Sequence, residues 1–323
     1  VIAVSNSAQA QLTLFSENFD GLTLGPNQEE AVVGDHVWTK TAPAGWIPND
    51  AGVPGINNPP DNNGVKEWAG WSFADKAWWV EAAGGQEREQ FERASGNVMV
   101  ADPDEWDDAT HPVGLYNTFI TTPAITIPAG IPAGRIKLAF DSSWRPEGND
   151  DDPNLANNQR ATVNVSYNGG APTNVLTFDS VPNPSPNFHP DAPNEAIQRD
   201  LQYNGSSTTM SLTFGLDLAE NDWWWAVDNI RVFVPANPLV LKVNLSSGQA
   251  SITGDDVIAT PVNFFDVTSP SGALVGANVS GLAARKPNSV DGSDPDSTVG
   301  NTSGEFWQGL AATNNRVTEA FLL

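Results

Sequence analysis

The 323-residue chain contains no cysteine, which excludes structural disulfides and metal sites built on thiolates. Basic residues are also scarce, with 15 Lys and Arg against 39 Asp and Glu, so the formal net charge is −24. This charge makes nucleic acid and anionic membrane surfaces poor partners, whereas divalent cations are attractive ones. No apolar run reaches the length of a membrane span.

Several catalytic motifs are missing as well. The three histidines, His36, His111 and His189, lie far apart in the sequence and form no zinc-binding motif. The chain has no Gly-x-Ser-x-Gly nucleophile motif, no phosphate-binding glycine loop and no dinucleotide fingerprint. These gaps favour binding over catalysis.

The most informative stretch runs from Asp222 to Pro235 and alternates like one long strand that Pro235 ends. One predicted face is apolar and is interrupted only by Asp228; it carries Trp224, Ala226, Ile230, Val232 and Val234. A buried carboxylate is costly unless a cation or several hydrogen-bond donors meet it. We therefore expect Asp228 to have a partner.

Many short alternating segments separated by turn residues predict an all-β fold, an antiparallel jelly-roll β-sandwich followed by a smaller β-sandwich-like module. The Pro-rich junction near residue 236 divides a jelly roll at residues 11–236 from a small β accessory domain at residues 237–323, which we interpret as truncated. Residues 1–10 end in small side chains and are interpreted as a signal-peptide remnant, which predicts a secreted or cell-surface protein.

Twelve tryptophans exceed what sandwich cores usually need. They are explained either by packing alone or by an exposed platform that stacks on sugar rings. We expect Trp38, Trp224 and either Trp78 or Trp79 to be buried. The candidates for ligand binding lie beside polar loops and are Trp68, Trp71, Trp106, Trp144, Arg145, Trp223 and Trp225.

The acidic loops favour calcium, which takes about six to eight oxygen ligands and tolerates irregular loops. The candidate metal ligands are Asp20, Asp102, Asp104, Asp107, Asp108, Asp150, Asp152 and Asp228. A weaker alternative is a glycoside hydrolase or polysaccharide lyase that uses Glu105, Asp107 or Glu147. It is weaker because the segment at Glu105 lacks the third acid of the Glu-x-Asp-x-x-Glu signature of sandwich-fold glucanases.

The opening Phe15-Ser-Glu-Asn-Phe-Asp-Gly21 and the closing Trp225-Ala-Val-Asp-Asn-Ile-Arg-Val232 resemble the first and last strands of concanavalin-like jelly rolls of the MAM and carbohydrate-binding type. The resemblance implies that these strands are adjacent and that Asp20 and Asp228 help to hold a structural calcium. Four tryptophan-containing blocks are similar to an uncharacterised domain of secreted planctomycete-like bacterial proteins, which implies no activity; they are residues 70–79, 101–108, 141–147 and 223–229.

Taken together, these features predict a secreted or cell-surface, non-catalytic module that binds polysaccharide and contains structural calcium. Attachment to other surface proteins is a further expectation. Besides the enzyme, a second alternative is a structural surface or matrix protein whose domains only assemble.

Overall fold

The computed structural model describes residues 2–5, 11–25, 36–56, 64–82, 86–147, 158–181, 185–236, 240–243, 250–253, 264–268, 307–312 and 316–321. Two compact units divide the chain, one of residues 13–234 and one of residues 1–12 with 235–323. Within the described part of the chain, no helix has the length and apolar character needed to cross a membrane.

In chain order the elements are β1 (Ile2–Ser5), β2 (Gln11–Glu17), β3 (Trp38–Thr39), β4 (Ile47–Asn49), the 3-10 helix η1 (Lys66–Trp68), β5 (Ser72–Asp75), α1 (Lys76–Ala82), the 3-10 helix η2 (Arg88–Gln90), β6 (Asn97–Ala101), α2 (Pro103–Asp107), β7 (Tyr116–Thr121), β8 (Ile125–Thr126), β9 (Lys137–Trp144), β10 (Arg160–Tyr167), β11 (Thr173–Asp179), β12 (Ala192–Asp200), β13 (Thr209–Ala219), β14 (Trp225–Pro235), β15 (Val240–Val243), β16 (Ala250–Thr253), β17 (Phe264–Thr268), β18 (Trp307–Ala312) and β19 (Arg316–Phe321).

The larger unit is a sandwich of two antiparallel sheets. One has six strands in the order β11-β10-β13-β7-β4, with β8 also paired to β13. The other has seven strands in the order β12-β9-β14-β6-β5-β3, with β2 also paired to β14. The predicted all-β jelly-roll sandwich is confirmed, and so is the predicted adjacency of the first and last strands of the larger domain.

The core lies between the two sheets. Phe140 of β9 and Trp225 of β14 contact Phe214 of β13, with ring centroids 5.6 and 6.1 Å apart. These positions follow from period-two alternation, since Leu138 and Phe140 are buried while the intervening Ala139 is half-buried. The side chains that share a face with Phe140 therefore point to the other sheet, and those that share a face with Ala139 point away from it.

Strand β14 departs from the predicted single alternating strand at a β-bulge. Asp228 pairs with Asp141, and the next registered pair is Arg231 with Ala139. Asp141 and Ala139 share a face, so Asp228 and Arg231 also share a face although they are three residues apart. Asn229 absorbs the extra residue with a φ of 54°. The prediction of one apolar face from Trp224 to Val234 is therefore wrong, because the bulge exchanges the two faces.

The smaller unit contains a four-stranded sheet in the order β1-β17-β19-β18 and a two-stranded sheet of β15 and β16. Strand β1 pairs antiparallel with β17. Residues 2–5 thus form a strand within the segment interpreted as a signal-peptide remnant, and that interpretation stays a prediction.

Candidate functional site

The seven-stranded sheet has an outer face, defined here by Ala139, Asp141 and Ser143 of β9 and their partners on β14, that points away from the other sheet. The face divides along the strands. Around Ser143 and Trp224 it lies beneath the helical segments between β5 and β6 and after β6, and we call this part the covered half. Around Ala139 and Arg231 it carries exposed side chains, and we call this part the open half.

The covered half is held together by a buried arginine. The guanidinium of Arg88 lies 5.2 Å from the ring centroid of Trp79 and 4.8 Å from that of Trp224. Its Nη2 donates to Asp102 at 2.8 Å and to Glu105 at 2.9 Å. Because Arg88 and Asp102 have fully buried side chains, neither charge is exposed to solvent. Removing one partner would leave the other unpaired in a poorly solvated environment.

Five of the tryptophans predicted to bind ligand are core residues. Trp68 and Trp71 are 1% exposed, and Trp106, Trp144 and Trp225 are fully buried. A ring without exposed surface cannot stack on a sugar, so the prediction of an exposed platform is wrong for these five. The predicted burial of Trp38 and Trp224 is confirmed, and both Trp78 and Trp79 are buried where one of the two was expected. The large apolar area of these rings fills both the space between the sheets and the covered half.

Trp223 and Arg145 remain near the surface, and they contact each other. Trp223 is half-buried, and the Arg145 guanidinium lies 4.1 Å from its ring centroid. Arg145 also donates to Glu87 at 2.6 Å and to Asp191 at 2.8 Å. The ring of Trp223 stacks on Trp224 with centroids 5.5 Å apart. Existing contacts therefore occupy both predicted ligand-binding groups.

The acidic segment at residues 102–108 forms a short helix rather than an irregular calcium loop. Asp102 caps α2 by accepting from the backbone N–H of Glu105 and also pairs with Arg88. Asp104 accepts from Gln86 Nε2 at 2.6 Å, and Asp107 pairs with His111. Burial raises the pKa of Asp108, and repulsion from Asp104 and Asp107 raises it further. Asp102, Asp104 and Asp107 thus already have protein partners. Asp150 and Asp152 lie outside the described residues.

The weak catalytic candidates do not converge on a cleft. Glu105 is 7% exposed and accepts from Arg88, so it is nearly buried and already paired. Asp107 pairs with His111 on the other side of α2. Glu147 lies in the segment after β9, where its backbone N–H donates to Gln159 Oε1 at 2.9 Å. Nothing in this arrangement favours the hydrolase or lyase alternative.

Asp20 and Asp228 meet at the junction between β2, β6 and β14. Asn97 N donates to Asp20 Oδ1 at 2.9 Å, and Ser95 N donates to Asp228 Oδ2 at 3.2 Å. The intervening Gly96 has a φ of 67°, and a Cβ there would collide with the Asp20 carboxylate. The partner expected for Asp228 is therefore a set of backbone donors, because Asn229 N also donates to its Oδ1 at 2.6 Å.

The charge of Asp228 is only partly compensated. Burial raises the pKa of its carboxyl to about 7, against the lowering effect of the Ser95 and Asn229 N–H groups, and the charges of Asp20 and Asp141 raise it further. Lys76 is the cation coupled to it. Below about pH 7 the carboxyl therefore keeps its proton, which is a second way to remove the charge besides a bound cation.

The oxygens at this junction suit calcium in kind, since both groups are carboxylates. The number of side-chain ligands is too small for a complete site, because no three His, Asp or Glu side chains converge as metal ligands would anywhere in the described residues. Backbone carbonyls and water would have to supply the remaining ligands. Asp20 and Asp228 could hold such an ion, which would supply positive charge and no reaction.

The open half of the outer face forms a cleft of about 750 Å³. Its walls come from the end of β2, the segment before β6, and strands β9, β12 and β14; they include Ser16, Glu17, Asn18, Arg93, Ala139, Asp141, Ala196, Gln198, Asn229 and Arg231. Its size is within the usual range of small-molecule sites. Phe140, the aromatic residue of the lining, is 2% exposed, so polar groups rather than rings face the space.

The sequence patterns used to predict a site, tryptophans and clusters of acidic residues, do not occur in this cleft. A signal was present in the strand alternation. Residues 196, 198 and 200 of β12 are exposed and alternate with buried or half-buried neighbours, and β9 places the small Ala139 between large residues. Polar alternation beside a small residue predicts an open strip on a sheet.

No family model matches the chain, and no curated protein matches it. Among solved structures, the carbohydrate-binding module TmCBM61 in complex with β-1,4-galactotriose is 10% identical over 59% of this chain and 89% of that one, with a TM-score of 0.31. The mannan-recognising module TmCBM27 is 9% identical over 70% of this chain and 98% of that one, with a TM-score of 0.27.

The enzymatically active domain of tailspike protein 4 from bacteriophage CBA120 is 11% identical over 43% of this chain and 15% of that one, with a TM-score of 0.26. At these low TM-scores, the similarities support no conclusion about the ligand of this chain.

Proposed function

We propose that the larger unit is a polysaccharide-binding module and that the cleft on the open half is its binding site. The observation that carries this proposal is the cleft itself, about 750 Å³ on the outer face of the seven-stranded sheet. Its side chains offer the mixture of amide, hydroxyl, carboxylate and guanidinium groups that hydrogen-bond to sugar hydroxyls.

The shape of the cleft supports this proposal. Ala139 and Ala196 are small residues on its floor, whereas Arg231 and Gln198 extend from the flanking strands. A low floor between longer side chains leaves room for a flat ring. Binding by this site relies on hydrogen bonds rather than on aromatic stacking, in contrast to the platform predicted from sequence.

The test is affinity gel electrophoresis of the full chain against a panel of soluble polysaccharides. Ala139→Trp should fill the cleft and abolish retardation by any polysaccharide that binds. Ala171→Trp, an identical change at an exposed turn position outside the cleft, is the matched control. Retardation that survives Ala139→Trp would place binding elsewhere, and no retardation by any polysaccharide would reject the proposal.

We further propose that Asp20 and Asp228 bind a structural calcium ion at the junction of β2, β6 and β14. What supports it is the convergence of two carboxylates on one backbone turn, at residues 95–97. An ion there would take the place of the proton on Asp228 and stabilise the folded chain by an amount that rises with the logarithm of the calcium concentration.

Thermal unfolding at pH 8 with calcium and with EDTA tests the ion. Calcium should raise the Tm of the wild-type chain, and Asp20→Asn should remove the difference between the two conditions. Asp104→Asn is the control, because Asp104 lies on α2 away from the junction. A wild-type Tm that is the same with calcium and with EDTA would reject the calcium site.

A further inference from the structure

The charged side chains that line the cleft differ in the hydrogen-bond and ion-pair partners that they have. Glu17 accepts from Phe19 N at 2.8 Å. Asp141 accepts from Asn229 Nδ2 at 3.0 Å and lies 3.8 Å from Arg93. Both acidic side chains that line the cleft thus already have partners. Arg93 has an ion-pair partner too, although at a longer distance.

Arg231 differs from these groups. Its side chain is exposed, and among the described residues no carboxylate lies within ion-pair distance of it. Its guanidinium lies 5.0 Å from the ring centroid of Phe233, two residues along the same strand. This contact restrains the side chain through a cation–π interaction without neutralising its charge. The cleft therefore contains a positioned cation without a counter-ion from the described part of the chain.

The register of the sheet places Arg231 opposite the amide side chain of Gln198, with Ala139 on the cleft floor between them. Arg231 pairs with Ala139, and Ala139 pairs with Gln198 on its other side. Neighbouring strands are about 4.8 Å apart, so the backbones of Arg231 and Gln198 are about 10 Å apart with a methyl group between them. A sugar ring over Ala139 could reach the guanidinium on one side and the Gln198 amide on the other.

We propose that the cleft binds an acidic glycan and that the anionic group of the sugar, a carboxylate or a sulfate ester, pairs with Arg231. This inference rests on the proposed polysaccharide-binding function. A guanidinium presents parallel N–H groups that match such an anion in a bidentate pair. A neutral sugar would leave Arg231 without an anion, and an acidic one supplies the partner that the described residues do not.

The net charge of −24 opposes a polyanion at long range. At physiological ionic strength, however, the screening length is only about 8 Å. The charges of the lining balance, since Glu17 and Asp141 are matched by Arg93 and Arg231, so the attraction depends on direct contact between the anion and a guanidinium. Recognition is therefore short-range and depends on the fit of the ligand to Arg231.

The test is calorimetric titration of the full chain at 0.15 M salt with three oligosaccharides of matched length: an oligogalacturonate, a sulfated galactan fragment and a neutral manno-oligosaccharide. We expect one of the acidic ligands to bind more tightly than the neutral one. Preference for the oligogalacturonate identifies a carboxylate, and preference for the sulfated fragment identifies a sulfate ester.

The key variant is Arg231→Gln. It should weaken binding of the acidic ligand by about tenfold to a hundredfold, the effect of losing a charge-assisted hydrogen bond, and Arg231→Lys should restore part of it. Arg199→Gln is the matched control, because Arg199 lies on β12 outside the cleft lining and loses the same charge. Arg231 is exposed, so an unchanged Tm verifies the fold.

Two results would overturn the inference: a neutral ligand that binds as tightly as the acidic ones, or acidic binding that Arg231→Gln leaves unchanged. In either case Ala139→Trp still reports on the cleft. Binding that Ala139→Trp abolishes but Arg231→Gln spares rejects the acidic ligand and keeps the polysaccharide site. Binding that neither variant affects rejects both proposals.

Discussion

The covered and open halves of the outer face share strands β9 and β14 but differ in what lies over them. In the covered half, Trp79, Arg88 and Trp224 stack above the sheet, and each charge has a buried partner. In the open half, Arg231 and Gln198 point to solvent across a low floor. One pair of strands thus lies beneath a buried network at one end and forms part of an open cleft at the other.

The largest difference in the free energy of unfolding should be that between variants of the two arginines, Arg88 and Arg231. Arg88→Met would leave Asp102 and Glu105 buried without their cation, so we expect the free energy of unfolding to fall by about 3–5 kcal/mol. Urea denaturation at pH 7 measures this loss. The matched control is Arg231→Met, because it removes the same charge from the open half. A loss below about 1 kcal/mol for Arg88→Met would mean that the buried network contributes little to stability.

A smaller effect is expected for the hydrogen bond beneath the covered half. Ser143 is fully buried, and its hydroxyl accepts from Trp224 Nε1 at 3.2 Å. Ser143→Ala would leave this N–H buried without a partner, at a cost of about 1–3 kcal/mol. Ser16→Ala, in the lining of the open half, should cost almost nothing. Equal losses in the two variants, measured by urea denaturation, would contradict the division of the face.

At the border of the open half, Asp228 should make stability depend on pH. The folded-state pKa is raised to about 7, whereas the unfolded value is about 3.9. As pH rises from about 4 to 7, the unfolded chain loses this proton while the folded chain keeps it, so the free energy of unfolding falls. Above pH 7 both states are ionised, and the penalty is constant.

Asp228→Asn removes that titration. In EDTA at pH 8 we expect the variant to be more stable than the wild type by about 1–2 kcal/mol, which is less than the full pKa shift implies because the single oxygen of Asn cannot accept from both Ser95 N and Asn229 N. At pH 4 the two should be similar. Denaturation curves across this pH range provide the check, and parallel pH profiles for the two chains would show that Asp228 does not titrate in this way.

The smallest stability effect belongs to Arg231. Because the side chain is exposed and has no carboxylate partner among the described residues, Arg231→Met should change the free energy of unfolding by no more than about 0.5 kcal/mol. The same denaturation experiment reports it. A large loss would show that Arg231 is a structural residue, and its assignment to ligand binding would lose its basis.

Much of the sandwich was predictable because burial in a sheet imposes alternation. Leu138 and Phe140 are buried on one face of β9, as alternation requires, and the first and last strands of the larger domain are neighbours as the resemblance implied. The candidate site was not predictable in the same way. Tryptophan is equally suited to a core and to a sugar platform, so its abundance could not distinguish them. The bulge at Asn229 also left no clear pattern, since one extra residue exchanges the faces without changing the composition.

The sequence by itself determined that this chain forms short antiparallel strands without disulfides and that a carboxylate lies in the middle of its last long strand. Only the tertiary structure decided which outward-facing residues are covered and which are open. The physical reason is that periodicity identifies the side chains that share a face, whereas what lies over that face depends on segments distant in sequence. Arg88 and Arg231 have the same side chain, and their surroundings alone make one a core residue and leave the other exposed in the cleft.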